Sequence, residues 1–174
     1  MPVKRHVEYN PNTHLYLQVP PYSFQLNEKK PCFKKDTKIL TKSGYKNIQN
    51  LSPNDILMKI DGTYTNISRI ISYPNKIVDN LYLLKKNSVS IGVPNNDLYI
   101  SDNHFINHRG TIVLPKLNKL FIKLRRQYVQ YFHIETDDYK NDWIIANNIG
   151  VETFGDNNNN NLKIRRYRLM LALK

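Results

Sequence analysis

Short segments in which apolar and polar residues alternate run through the chain from residue 32 onward. In the first of them, Thr37, Ile39 and Thr41 share one face, whereas Lys38 and Lys42 lie on the opposite face. A period of two is typical of a strand that buries one side, because successive side chains of a strand point to opposite faces. The pattern therefore predicts a strand here rather than a helix.

Turn-forming residues separate these segments at regular intervals. The strongest turn signals are Ser43-Gly44, Ser52-Pro53-Asn54-Asp55, Asp61-Gly62, Tyr73-Pro74-Asn75 and Pro94-Asn95-Asn96-Asp97. Between them the pattern predicts strands over residues 56–60, 64–71, 81–84, 89–93, 98–100, 110–114, 128–136 and 143–146, and residues 117–126 fit a strand or a helix. Many short strands at such spacing indicate an all-β architecture.

The two ends of the chain differ from this middle part. Residues 1–31 are rich in proline and predict an extended leader, with one short strand over residues 15–19. Residues 155–174 begin with an asparagine tract and continue with alternating basic and apolar residues, which predicts a linker and a short amphipathic helix. We therefore divide the chain into a leader (1–31), a domain (32–154) and a basic tail (155–174).

The charge balance is strongly basic, with 26 lysines and arginines against 14 acidic residues and a net charge of +12. Such a surface attracts nucleic acid or another anionic surface, and residues 116–126 and the tail hold the densest clusters. Lys, Asn, Ile and Tyr are all abundant, as an AT-rich gene would encode, which suggests a source such as a large DNA virus or a protist. The charge alone therefore assigns no function.

One cysteine in the sequence excludes an intramolecular disulfide framework. No apolar run follows the charged N-terminus, and no stretch approaches the length of a membrane span, so we expect a cytoplasmic or virion-associated protein. The cysteine and histidines lack the close spacing of a zinc site. We expect no metal and no cofactor.

Residues that can carry chemistry are concentrated in three segments. The first opens with Pro31-Cys32-Phe33, the second is Ser101-Asp102-Asn103-His104, and the third begins at His133 and continues to Glu152-Thr153-Phe154. The first segment continues as a strand, a glycine turn and a second strand. The residues at characteristic spacing in it are Cys32, Phe33, Thr37, Ile39, Thr41, Gly44, Leu51, Asp55 and Gly62.

This order of segments resembles the Hint family, which comprises hedgehog autoprocessing domains and inteins, and is most similar to bacterial intein-like Hint domains. The resemblance implies a horseshoe of short strands with a pseudo-two-fold axis. It also implies that the Cys32 thiol attacks the carbonyl carbon of Pro31 and converts the peptide bond into a thioester. In that scheme His104 protonates the departing nitrogen, and Ser101 binds the scissile peptide and orients the histidine. His133 stands where splicing relatives often have an aspartate, and is a candidate base.

The sequence departs from the intein pattern at its end. Inteins close with His-Asn, whereas this chain has Glu152-Thr153. We therefore expect cleavage without splicing, in which water or a small nucleophile resolves the thioester and the leader is the substrate. The ring of Pro31 crowds its carbonyl and predicts a slow reaction. Residues 155–174 are too few for a sterol-binding region.

Two other functions remain open: a Hint domain that no longer cleaves and serves as a binding or structural module, and a basic β-domain that binds nucleic acid. A buried cysteine also packs as a small apolar side chain, and each histidine can be a structural residue. If the domain is built to cleave itself, Cys32, Ser101, His104 and His133 should converge on one cleft that the Pro31 carbonyl enters.

Overall fold

The computed structural model describes residues 7–10, 15–18, 31–139 and 142–153. This part of the chain consists of strands and two 3₁₀ helices, Ile48–Asn50 and Pro115–Leu117, and it contains no α-helix. The strands are β1 (Val7–Asn10), β2 (Leu15–Gln18), β3 (Phe33–Lys34), β4 (Lys38–Thr41), β5 (Gly44–Asn47), β6 (Ile56–Met58), β7 (Tyr64–Val78), β8 (Leu81–Leu84), β9 (Leu98–Ser101), β10 (Ile106–His108), β11 (Thr111–Val113), β12 (Phe121–Lys123), β13 (Gln127–Thr136), β14 (Trp143–Ala146) and β15 (Ile149–Glu152). The all-β prediction is confirmed.

All strand pairs in the described residues are antiparallel. β1 and β2 form a hairpin of their own in the leader. The other strands form one sheet in the order β11-β10-β15-β14-β4-β6-β7-β13-β3-β9-β8-β12, and β5 pairs with β4. The long strands β7 and β13 run side by side along most of their length and connect the two ends of this sheet.

Two of the predicted turns are tight hairpins with glycine in the left-handed region. Gly44 (φ 103°) joins β4 to β5, where the Thr41 hydroxyl donates to the Gly44 carbonyl oxygen at 2.7 Å. Gly62 (φ 81°) lies between β6 and β7, where the Asp61 carboxylate accepts a bond from the Thr63 backbone N–H at 2.9 Å. Positive φ without strain is what glycine provides at such positions.

The structure corrects the prediction that Pro74 ends a strand, because Pro74 lies within β7. The register of the β7–β13 pair shifts at this point, from Tyr73 opposite Tyr131 to Lys76 opposite Val129. A proline lacks the N–H that a regular ladder needs, and a bulge is a place where that loss is tolerated. The proline therefore marks a bulge in a long strand rather than its end.

The strand predicted over residues 89–93 is also wrong. The Val89 N–H donates to the Val93 carbonyl oxygen at 3.0 Å, and Ser90 forms an isolated bridge with Val93, so the chain folds back on itself. Gly92 has φ 77°, outside the range of an extended strand. The apolar residues of this segment form a tight turn.

Buried apolar side chains form a large cluster and a small one. The small cluster comprises Cys32, Val78, Leu81, Val129 and Tyr131. β13 contributes to both clusters, because Phe132 and Ile134 enter the large cluster on its opposite face. Side chains of a strand alternate, so His133 and Glu135 lie on the same face of β13 as Tyr131.

In the described ranges, no helix combines the length and apolar character needed to cross a membrane.

Candidate functional site

The Pro31–Cys32 peptide bond lies at the start of β3, which the sheet places between β13 and β9. Both residues are buried, and the Cys32 side chain is only 2% exposed. His133 lies on β13 and Ser101 ends β9, so the two strands that flank β3 bring these side chains to the same peptide bond. The site therefore follows directly from the order of strands in the sheet.

Side chains bind both polar atoms of this peptide bond. Nδ1 of His133 lies 2.7 Å from the Pro31 carbonyl oxygen. Because a carbonyl oxygen only accepts, Nδ1 must carry the hydrogen. On the other side of the bond, the backbone N–H of Cys32 donates to Oγ of Ser101 at 3.0 Å. The peptide is thus held at its oxygen by an imidazole and at its nitrogen by a hydroxyl.

A short chain of hydrogen bonds orients Ser101. Its hydroxyl donates to the side-chain oxygen of Asn103 at 2.9 Å, which leaves an oxygen lone pair free to accept the Cys32 N–H. The Ser101 backbone N–H donates in turn to the Cys32 carbonyl oxygen at 3.2 Å. Ser101 therefore contacts Cys32 through both its backbone and its side chain.

His104 lies next to the carbonyl of Cys32, whereas His133 lies next to the carbonyl of Pro31. Its Nδ1 is 3.2 Å from the Cys32 carbonyl oxygen and its Nε2 is 3.1 Å from the Glu152 carbonyl oxygen, both in a buried environment. A neutral imidazole carries one N–H and donates to only one of these acceptors, whereas an imidazolium donates to both. The ring contacts Cys32 at its carbonyl oxygen, whereas Ser101, and not His104 as predicted, lies at the Cys32 nitrogen.

Glu152 and Thr153, at the end of the described chain, are both buried. The Glu152 carboxylate accepts a hydrogen bond from the Phe105 backbone N–H at 3.0 Å, and its own N–H donates to the Phe105 carbonyl at 3.1 Å. The Thr153 hydroxyl lies 2.7 Å from that of Thr136. These contacts fix the end of β15 beside His104.

A buried carboxylate and an arginine support His133 from the side opposite the Pro31–Cys32 peptide. Nε2 of His133 is 3.5 Å from a Glu135 carboxylate oxygen. Arg69 binds the same carboxylate with two N–H groups, at 2.7 and 2.8 Å. This forked geometry is rigid and directional, so it fixes the carboxylate next to the imidazole.

The charge of Glu135 follows from these neighbours. Burial alone would raise the pKa of its carboxyl, but hydrogen bonds and charge interactions with His133 and Arg69 outweigh burial and lower the pKa to about 2. Glu135 is therefore a carboxylate at neutral pH, and its charge is paired with the Arg69 guanidinium.

This lowered pKa predicts that stability falls as the pH is reduced from about 4.5 towards 2. A carboxyl whose pKa is lower in the folded chain stabilises the fold fully above its unfolded value and loses that contribution as it is protonated. Thermal unfolding measured across this pH range should show a smaller loss for Glu135→Gln, which cannot titrate. Asp137→Asn, at an exposed position, is the control and should decline like the wild type. An equal decline in all three chains would contradict the prediction.

All the predicted site residues, Cys32, Ser101, His104 and His133, contact one segment of backbone. Sequence reasoning missed Arg69, Asn103 and Glu135. Glu135 could have been found from its spacing of two residues from His133, which places both on one strand face. Among the described residues, no group of three or more His, Cys, Asp and Glu side chains is arranged to hold a metal ion.

The basic segment of residues 116–126 lies at the surface. Five of its cationic side chains are exposed: Lys116, Lys119, Lys123, Arg125 and Arg126. Their contact with nucleic acid or another anionic surface stays a prediction, and the basic tail lies outside the described residues.

Comparison with solved structures finds inteins. The DnaB intein from Synechocystis sp. PCC 6803 superimposes with a TM-score of 0.54 at 14% identity, covering 72% of this chain and 100% of that one. The Ssp DnaB mini-intein variant M86 gives a TM-score of 0.54 at 14% identity over 74% and 98% of the two chains. The gp41-1 intein gives 0.50 at 15% identity over 71% and 98%. No family model and no curated protein sequence matches the chain.

The chain therefore has the Hint fold. The structures it resembles are inteins, and the similarity extends over nearly their whole length, as the order of the sequence segments implied. At these low identities the likeness establishes the fold alone, so the activity has to be derived from the residues around Pro31 and Cys32.

Proposed function

We propose that this chain cleaves its own backbone at the Pro31–Cys32 bond through an N-to-S acyl shift. One observation carries the proposal. Within the buried site, side chains bind both the carbonyl oxygen and the nitrogen of the very peptide bond that precedes the only cysteine. A structural cysteine does not require its upstream peptide bond to be held in this way.

The chemistry begins at the sulfur. Sγ of Cys32 attacks the Pro31 carbonyl carbon, a C–S bond forms, and the carbonyl oxygen becomes an oxyanion. The C–N bond then breaks, the thiol proton leaves, and the nitrogen takes up a proton to become the free amine of Cys32. Sulfur and carbon belong to neighbouring residues, so a fixed backbone holds them close without the entropic cost of a bimolecular encounter.

His133 stabilises the oxyanion in this mechanism. Its Nδ1–H already contacts the Pro31 oxygen at 2.7 Å, the atom on which negative charge develops. A fixed donor aimed at such an atom, in a site that excludes water, is among the largest single contributions to acyl transfer. Glu135, which Arg69 fixes in place, lies 3.5 Å from Nε2 of His133 and supports this orientation of the ring.

Ser101 and His104 act on the leaving side of the bond. Oγ of Ser101 accepts a hydrogen bond from the Cys32 N–H, which fixes the plane of the scissile peptide. We assign to His104 the protonation of the departing Cys32 nitrogen. Nδ1 of His104 lies 3.2 Å from the carbonyl oxygen of Cys32. Histidine suits this step because its ordinary pKa, about 6.5, allows it to donate and accept protons near neutrality.

The thioester is then resolved by water or a small thiol, which releases residues 1–31 as the acyl product. Splicing would need an asparagine to cyclise at the end of the domain, and Thr153 occupies that place. The proposed outcome is cleavage, with the leader as the chain's own substrate.

Intact-mass measurement tests this function directly. The purified chain, incubated with dithiothreitol at neutral pH, should give residues 1–31 and 32–174 as products. Hydroxylamine should accelerate the cleavage and leave a hydroxamate on Pro31. A chain that stays whole through long incubation with both reagents would refute self-cleavage and favour a structural or binding module.

Pro31→Ala should cleave faster than the wild type, by roughly tenfold, because removing the ring opens the line of approach to the carbonyl carbon. The carbonyl that His133 binds is retained in this variant. The measurement is the rate at which the 32–174 fragment appears. Pro53→Ala, at an exposed turn, is the matched control and should leave the rate unchanged. A Pro31→Ala chain that cleaves no faster would show that the ring does not limit the attack.

A further inference from the structure

The Tyr131 hydroxyl is a buried polar group that the mechanism above does not use. Tyr131 is 3% exposed, and its hydroxyl oxygen has no hydrogen-bond partner in the part of the chain that the structure describes. A buried tyrosine hydroxyl usually has a partner, because an unsatisfied polar atom destabilises the fold. An orphaned donor in a buried site therefore calls for an acceptor that appears in another state of the molecule.

The position of Tyr131 points to the sulfur as that acceptor. Tyr131 packs with Cys32 in the small cluster, whose other buried members, Val78, Leu81 and Val129, offer no acceptor of their own. It precedes His133 by two residues on the same face of β13, a distance of roughly 6.5 Å along the strand. The register places Tyr131 opposite Lys34, and Cys32 precedes Lys34 by two residues on the same face, so Tyr131 lies diagonally across from the Cys32 side chain.

The electrostatics agree with this placement. Burial, followed by the negative charges of Cys32 and Asp102, raises the pKa of Tyr131 well above its usual value of 10. The phenol therefore keeps its proton throughout the range in which a thiol ionises. It remains a neutral donor whose environment changes when the sulfur becomes negative.

We propose that the Tyr131 hydroxyl donates a hydrogen bond to the Cys32 sulfur when the thiol ionises, and that this bond stabilises the thiolate and directs it at Pro31. The proton stays on the phenol oxygen, so the bond adds no proton-transfer step. The hydrogen bond does not depend on cleavage, whereas its effect on the rate rests on the function proposed above. The bond satisfies the orphaned hydroxyl only in the state from which attack begins.

Tyr131→Phe tests the rate effect, because it removes one oxygen and keeps the ring. We expect cleavage to slow by roughly tenfold to a hundredfold, as hydrogen bonds to charged groups are stronger than neutral ones. The melting temperature should stay the same or rise, since an unsatisfied buried hydroxyl is lost. Tyr99→Phe, next to the same cluster, is the matched control and should leave the rate unchanged. A lower melting temperature with an unchanged rate would overturn the proposal.

A second measurement separates this proposal from self-cleavage. The chain has one cysteine, so ¹³C-labelled cysteine gives a single Cβ resonance that reports ionisation of the sulfur. In uncleaved chains, Tyr131→Phe should move the midpoint of that titration upward by about one pH unit. His104, His133 and Asp102 are present in both chains, so the difference between the two chains isolates Tyr131.

The outcomes are distinct. A shifted midpoint in a chain that never cleaves would support the hydrogen bond and refute self-cleavage alone. An unshifted midpoint would overturn the hydrogen bond, even where the wild type cleaves at Cys32.

Discussion

Cys32→Ala should stay full length under conditions in which the wild type separates into residues 1–31 and 32–174. The substitution removes the only thiol of the sequence, so neither a thioester nor its exchange with dithiothreitol is available. Alanine is a small apolar residue, as the buried cysteine is in packing terms, and the fold should persist. Time courses of intact mass, with and without dithiothreitol, measure the effect, which we expect to be complete loss of cleavage.

Cys32→Ser is the informative companion variant. A serine hydroxyl can still attack the Pro31 carbonyl and form an ester, but it is a much weaker nucleophile than a thiolate. Cleavage should therefore be slow, insensitive to dithiothreitol and sensitive to hydroxylamine. Cleavage of Cys32→Ala at the same bond, with the wild-type time course, would require a different nucleophile and would refute the acyl-shift mechanism.

The local alternation of apolar and polar residues predicted the strands well where a strand and its neighbours in the sheet are regular. Residues 81–84 and 143–146 were predicted as strands, and β8 and β14 have these bounds. The failures arise where the outcome depends on distant residues. Pro74 is tolerated because it lies in a bulge of β7, and the pairing with β13 that creates the bulge cannot be read from the sequence around Pro74. Residues 89–93 contain enough apolar side chains for a strand, but Gly92 takes a positive φ and the segment turns.

The sequence predicted which side chains meet around Pro31 and Cys32, but not which atoms they contact. The spacing of Cys32, Ser101 and His104 carries the resemblance to Hint domains. The atom that each side chain contacts depends on how three strands meet. Ser101, rather than His104, therefore binds the Cys32 nitrogen in this structure.

The pairing of Arg69 with Glu135 and the role of Tyr131 could not be found from sequence. Arg69 and Glu135 are 66 positions apart and meet because the register of β7 and β13 places them opposite each other. Tyr131 looks like any aromatic residue of a strand. Its significance comes from a buried hydroxyl that finds no partner in the described residues, which only the three-dimensional packing shows.

Two amide variants of His133 should differ sharply in cleavage rate. The side-chain nitrogen of asparagine can occupy the place of Nδ1, whereas that of glutamine reaches the place of Nε2, next to Glu135. The structure shows Nδ1 on the Pro31 oxygen, so His133→Asn keeps the donor and should keep most of the rate. His133→Gln moves the donor away and should slow cleavage by roughly a hundredfold to a thousandfold, the usual effect of losing one oxyanion donor.

The same pair of variants tests the role first expected of this residue, that of a base. An amide does not accept a proton from a thiol near neutral pH, so a base at position 133 would make both variants equally slow. Wild-type rates in both would exclude any catalytic role for His133. A large difference between asparagine and glutamine requires a directional donor, because the two side chains differ by one methylene group and share the same chemistry.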